Sequence, residues 1–211
     1  ASVQHVLEQH REQLDKQSVM VTPPLPPDVN FAGEPVPVHD RMVYEDLEKH
    51  LVMNMYSYPR TMLALKRASR WQKEMKAILR KEGVPEDFFY LMVAESHAEN
   101  ATSWAGAVGY WQFMKETGKE YGLRIDKEVD ERLDPIKSTY AACKYLKKAH
   151  RMFGNWGLVA ASYNQGMGAT RYYLKKQHAK AYYDLYLNPE TAQYLYRIVA
   201  LKLILENPHL Y

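Results

Sequence analysis

The segment Phe88-Phe89-Tyr90-Leu91-Met92-Val93-Ala94-Glu95-Ser96 sets one carboxylate near the end of a run that holds no other charge. Upstream, Gly83 is a natural stop for one helix, and Pro85 with Glu86 and Asp87 supplies the residue types favoured in the first turn of the next. The segment therefore reads as a helix opening at Pro85. On a 3.6-residue repeat Phe88, Leu91 and Met92 stand seven, four and three residues before Glu95 and share its face. Burial there disfavours the charged carboxylate and raises its pKa, as a proton donor near neutral pH requires. Glu95 is the candidate general acid; a salt-bridged residue at a helix end fits the spacing equally well.

Ser103 to Met114 follows, with Gly106 and Gly109 three residues apart, a spacing suited to tight turns and to close approach of a ligand. Trp111 beside this turn suits either a sugar face or a core. Glu99 lies one helical turn beyond Glu95, but its Asn-Ala-Thr-Ser surroundings read as a solvated loop.

The wider composition bounds the function classes. In 211 residues, 46% hydrophobic and 25% charged side chains suit one sizeable core with an extension. A net charge of +3 is too weak to argue for nucleic acid and is compatible with anionic polymers. The single cysteine, Cys143, excludes an intrachain disulfide and sits at core spacing in a helix. The eight histidines lack a close ligand pair, so neither a metal nor a cofactor is expected. No apolar run is long enough to span a membrane and no leader pattern is present, so any export signal is expected to have been removed.

Along the chain, residues 1–39 divide into a polar segment and a Pro-rich linker or strap. Ser2 to Gln17 could form an exposed or partner-bound helix, and six prolines between Thr22 and Val38 favour extended backbone. Residues 40–82 read as two helices, one capped by Asp40, the other around Met62 to Leu79. A short helix precedes Gly122, and Asp126 to Asp134 forms an acidic loop expected to be solvated. Asp134-Pro135 opens a core helix that Gly154 stops, Asn155 caps a shorter one ending at Tyr163-Asn164, and Asn188-Pro189 opens the last. No strand-like alternation of useful length occurs, so the fold class is mainly α.

Three ordered blocks carry a family resemblance: Glu95-Ser96; Ser103 with Gly106-Ala107, Gly109 and Gln112-Phe113-Met114; and Ala161-Ser162-Tyr163-Asn164-Gln165-Gly166. In order, they resemble the signature of the soluble-lytic-transglycosylase-like (family 1) catalytic domain, and within it the transglycosylase D group. The helical region from Arg60 onward resembles that group too. Ser162 stands where alanine is more usual, and Tyr110 and His97 are departures that flank the cleft and bear on substrate preference.

The resemblance implies a lysozyme-like helical domain over 83–211 with a glycan-binding groove. It also implies one catalytic acid, Glu95, which protonates the bond between N-acetylmuramic acid and N-acetylglucosamine and then, as a base, closes a 1,6-anhydro ring. Ser96, Ser103, Gln112, Tyr163, Asn164 and Tyr194 are the supporting or substrate-binding candidates. Tyr163 is expected to touch the acid, and Tyr194 either reaches the cleft or packs in the core. The implied partners are peptidoglycan strands, with envelope or cell-wall regulatory proteins beside them, in the bacterial periplasm or envelope, the full-length form tethered to the outer membrane. A goose-type lysozyme, using an acid of the 126–134 loop to position water, and a non-catalytic glycan-binding protein are the rival readings.

Overall fold

The structure is a computed structural model and describes residues 23–211. The polar segment 2–17, expected as a helix, lies outside the described residues. Eight α-helices occur among them: α1 (Arg41–Tyr56), α2 (Tyr58–Lys81), α3 (Phe88–Ser96), α4 (Lys115–Glu120), α5 (Pro135–Phe153), α6 (Trp156–Gln165), α7 (Met167–Gln177) and α8 (Pro189–Glu206). The only ladder among the described residues pairs β1 (Asn30–Phe31) with β2 (Glu34–Pro35). The mainly α class expected from the sequence is the class found.

The ends follow local chemistry. Asp40 accepts from the amides of Met42 and Val43, Asp134 from Ile136 and Lys137, Asn155 from Leu158, and Asn188 from Glu190 and Thr191. Each side chain satisfies donors that a helix start leaves open, an effect worth about 1 kcal/mol per cap. Helix α3 is different. Phe88 through Ala94 are all buried, so the helix is apolar all round and forms the centre of the bundle, packed against α2 and α8.

Its start corrects the sequence expectation. Pro85, Glu86 and Asp87 form a tight turn whose carbonyls accept from the amides three residues on, and the regular helix begins only at Phe88. Asp87 is drawn elsewhere: Oδ2 accepts from Lys202 Nζ in α8 at 2.7 Å and from the Ala32 amide at 2.7 Å.

That second bond shows what the Pro-rich stretch does. Phe31 inserts its ring against Phe88, and Phe88 in turn meets Trp156, each pair at 5.2 Å between centroids with edge-to-face geometry. Glu34 reaches the start of α6, where its carboxylate accepts from the Trp156 amide at 2.7 Å, the Gly157 amide at 3.2 Å and Asn155 Nδ2 at 2.8 Å. An anion there meets the positive end of the helix dipole. The stretch lies across the bundle as a strap, joining α3, α6 and α8.

Candidate active site

Glu95 sits in the last turn of α3, which His97 ends in the left-handed conformation at φ 52°. The Tyr194 hydroxyl, presented by α8, donates to Glu95 Oε1. Burial pushes the Glu95 carboxyl above its ordinary range; the Tyr194 hydrogen bond and the Arg197 guanidinium oppose this, and Glu190 adds to it. Oε2 has no hydrogen-bond partner among the described residues, yet it is not sealed in, since the one buried unpartnered side-chain oxygen there is the Tyr211 hydroxyl. One carboxyl oxygen is thus anchored, and the other is free to carry a proton to something outside.

Tyr163 comes from the end of α6. Its hydroxyl donates to the Trp111 carbonyl at 2.8 Å, and it is close enough to Glu95 for the carboxylate charge, after burial, to push its phenol up. The hydrogen bond to the acid is made by Tyr194, with Tyr163 close by. Asn164, next along, is gripped by α8: it donates to Glu190 Oε1 at 2.9 Å and accepts from Thr191 Oγ1 at 2.6 Å. Gln112, Phe113, Met114, Tyr163, Asn164 and Met167 are among the residues lining a cleft of about 410 Å³.

The loop that carries Ser103 and Gln112 is knitted by its own backbone. Ser103 Oγ accepts from the Ala107 amide at 3.0 Å, and Gln112, left-handed at φ 51°, donates through Nε2 to the carbonyls of Gly109 at 2.8 Å and Ala101 at 3.1 Å. Both side chains hold the loop's shape, leaving Gln112 Oε1 without a partner among the described residues. Ser96 donates back to the Met92 carbonyl at 3.2 Å within α3 and stays buried, which ties it to the helix rather than to the cleft. Trp111 is fully buried, its Nε1 donating to Thr139 Oγ1 at 2.9 Å, so of its two readings the core one is found.

Gly109 corrects an expectation. A β-carbon there would lie 1.9 Å from the Arg132 carbonyl oxygen, so the close approach that needs glycine is made by the chain's own backbone. Arg132 is the residue that sequence reasoning missed. It is 7% exposed, forms an ion pair with Asp130 at 2.7 Å, and donates through Nη1 to the carbonyls of Phe113 at 3.1 Å and Gly106 at 3.3 Å. The acidic loop is accordingly not simply solvated: Asp130 faces Arg132, Glu131 faces Lys137 at 2.6 Å, and Asp126 faces Arg124 at 2.6 Å. Glu99, also expected to be solvated, is exposed but pairs with Arg67 at 2.8 Å. Trp104, between Ser103 and Gly106, was likewise passed over; its side chain stands fully in solvent.

The transglycosylase SLT domain family matches residues 72–186, more than half of the chain and a span that holds the Glu95 helix, the Ser103 loop and the Tyr163 block. The chain belongs to that family. Membrane-bound lytic murein transglycosylase D of Escherichia coli strain K12 and its counterpart from strain O6:H1 are each 32% identical to this SLT chain over 182 residues, covering 83% of it and 39% of the relative. The chain thus spans about two fifths of the length of those curated relatives. Among solved structures, an inactive mutant of the lytic transglycosylase Slt from Pseudomonas aeruginosa superposes with a TM-score of 0.52 at 24% identity, over 64% of this chain and 24% of that one. The SLT fold is shared. Tyr194 and Glu190 lie beyond the matched span, so the phenol that holds the acid enters from α8 rather than from within it.

Proposed function

We propose that this chain is the catalytic part of a peptidoglycan lytic transglycosylase. The observation that carries the reading is a buried carboxyl, its pKa raised and one oxygen held by Tyr194, close to Tyr163, which together with Gln112 and Asn164 lines the neighbouring cleft. Most glycosidases need two carboxylates about 5 to 9.5 Å apart, whereas one suffices when the substrate supplies its own nucleophile. Glu95 protonates the oxygen between N-acetylmuramic acid and N-acetylglucosamine as the C1–O bond breaks, and the muramoyl 2-acetamido group stabilises the positive centre. The resulting Glu95 carboxylate takes the proton from the C6 hydroxyl of the same sugar, whose oxygen bonds to C1. A 1,6-anhydro ring forms, Glu95 is reprotonated, and no water is consumed.

The surrounding residues serve this sequence through their bonds. The Tyr194 hydroxyl stabilises the carboxylate in the step where it carries charge. Asn164 and Gln112 each present an amide at the cleft for N-acetyl or hydroxyl groups, while Ser96 and Ser103 act as supports for α3 and the loop. Trp104 offers an open ring face to a sugar. The reading extends to an envelope location and to regulatory wall proteins as further partners. Of the acids of the 126–134 loop, Asp126, Asp130 and Glu131 are paired with cations and Asp134 caps α5, which gives no support to the hydrolytic alternative.

The test is mass spectrometry of soluble products from purified peptidoglycan, with Glu95→Gln alongside. Wild type is expected to release 1,6-anhydromuropeptides, and the variant to lose about 10²–10⁴-fold in rate, the usual worth of a positioned proton donor. Reducing-end products would transfer the chain to the goose-type hydrolases. Binding to sacculi without any product would make it a glycan-binding protein.

A further inference from the structure

A second, smaller pocket of about 220 Å³ opens beside the acid, where α1, α2, the end of α3 and α8 meet. His50, Asn54, Ser57, Arg60, His97 and Arg197 supply its polar lining, with no carboxylate among its lining residues. Its place is fixed by sequence: His97 stands two residues after Glu95, just past the end of α3, and Arg197 three residues, nearly one turn, after Tyr194 on α8.

The two guanidinium groups in its lining are not ion-paired among the described residues. Arg67, two turns along α2 from Arg60, is paired with Glu99 at 2.8 Å. Among the described residues neither Arg60 nor Arg197 has a carboxylate within ion-pair distance; Arg197 instead lies over the Tyr194 ring at 5.2 Å. The histidines do not supply a negative partner either. His50 Nε2 meets Gln193 Oε1 at 3.0 Å, and both rings are held below the ordinary histidine range, by burial first. For His97 the next causes are the charges of Arg60 and Arg197, with Arg67 adding slightly and Glu99 opposing; for His50, Lys49 and Arg197 push down while the Gln193 bond and Asp46 pull up. A small concavity with two guanidinium cations, two imidazoles, one amide and one hydroxyl suits an anion with in-plane acceptor oxygens, the geometry a guanidinium fork matches in a carboxylate.

We propose that this pocket is a carboxylate subsite, in which Arg60 and Arg197, with His97 between the pocket and the acid, take the acidic end of a peptide stem carried by the glycan strand beside the bond that Glu95 works on. The choice of ligand rests on the transglycosylase reading; the choice of a carboxylate rests on the pocket itself. A stem held there would fix which sugar along the strand is presented to Glu95, so the subsite would act on substrate selection more than on the chemical step.

The experiment follows the His97 ring by NMR in the Glu95→Gln protein, so that nothing is consumed, while N-acetylmuramoyl-tetrapeptide, its fully amidated form, or sodium acetate is added. The acid-bearing fragment is expected to raise the His97 pKa, since an anion offsets the two guanidinium charges, and the amidated form to leave it in place. Arg60→Gln, which changes an exposed side chain, should weaken the acid-bearing fragment roughly tenfold and leave the amidated one unchanged. Equal binding of the two fragments, or an Arg60→Gln protein of undiminished affinity, overturns the subsite. An equal response to acetate at equal concentration means an adventitious ion only and overturns it too. If wild type releases no anhydro product while His97 still answers to the acid-bearing fragment alone, the catalytic reading falls and the subsite stands.

Discussion

Two carboxylates bracket the central helix, and the same partner helix answers both. Asp87 precedes α3 and meets Lys202; Glu95 closes α3 and meets Tyr194. The spacing is eight residues on each side, in opposite chain directions, as two antiparallel helices require. At one end α8 offers an ammonium group, reinforced by Asn30, and the result is a closed ion pair with both side chains largely out of water. At the other it offers a phenol, which can donate one hydrogen bond but supplies no charge. Lysine beside Asp87 ties the carboxylate into a closed pair, whereas a phenol beside a buried carboxyl leaves that carboxyl able to hold a proton and later to part with it. On the proposed reading, the difference between scaffold and chemistry in this bundle is a difference between lysine and tyrosine at equivalent positions of α8.

The most disruptive way to probe this contrast is at the closed end. Asp87→Asn leaves Lys202 buried without its counter-charge and should cost about 3–5 kcal/mol in denaturant unfolding. Adding Lys202→Met should return most of that, because the desolvation of both ions disappears together. Product formed per folded molecule should hardly change in either variant. A cost below ~1 kcal/mol for the single change would mean that water reaches the pair and that the ends of α3 are less different than their partners suggest.

At the open end, Tyr194→Phe keeps the ring in the core and removes the one side-chain donor to Glu95 among the described residues. Since that bond lowers the Glu95 pKa, its loss should move the carboxyl higher still, carrying the alkaline limb of the kcat/KM profile to higher pH. The rate should fall roughly tenfold, because the carboxylate formed after proton donation loses its partner. A limb that stays put would assign the limb to another group.

The smallest effect is on stability. A carboxyl whose folded pKa lies above its unfolded value, about 4.3, binds a proton more readily in the native state. Wild-type stability is then undiminished below that pH and declines as pH rises through the folded pKa. Glu95→Gln escapes the decline. It should melt higher than wild type at pH 7, by roughly 2–4 °C for each kcal/mol gained, and the advantage should vanish below about pH 4. An advantage that is independent of pH would point to packing rather than ionisation.

The parts of the molecule that were legible in the sequence share one property: their cause is local. Asp40, Asp134, Asn155 and Asn188 announce helix starts because a cap acts on amides two or three residues away. Glu95 could be singled out because the apolar residues on its own helix already make its surroundings. What escaped depends on residues distant along the chain. Asp87 read as a first-turn acid, and Lys202, 115 residues on, took it. Tyr163 and Tyr194 could not be ranked as partners of the acid from spacing, since the choice turns on how α6 and α8 pack. Arg132 lies within the loop whose sequence reads as solvated; only the fold puts its guanidinium under Gly106 and Phe113 and its carbonyl against Gly109. An arginine with acids on either side is a common surface pattern, and nothing local distinguishes this one.

The strap has a consequence for the order in which the molecule is assembled. Its bonds join residues 55, 122 and 172 positions apart, from the Ala32 amide to Asp87, the Trp156 amide to Glu34, and Lys202 to the Asn30 carbonyl. Contacts of such separation close large loops and are expected late in folding, after helices with near neighbours have formed. The start of α6 is therefore among the last pieces to be fastened, and α6 carries Tyr163 and Asn164. The cleft would reach its working shape only when the early and late parts of the chain have met, so that a nascent or partly folded chain, even with α3 in place, is not yet a competent one.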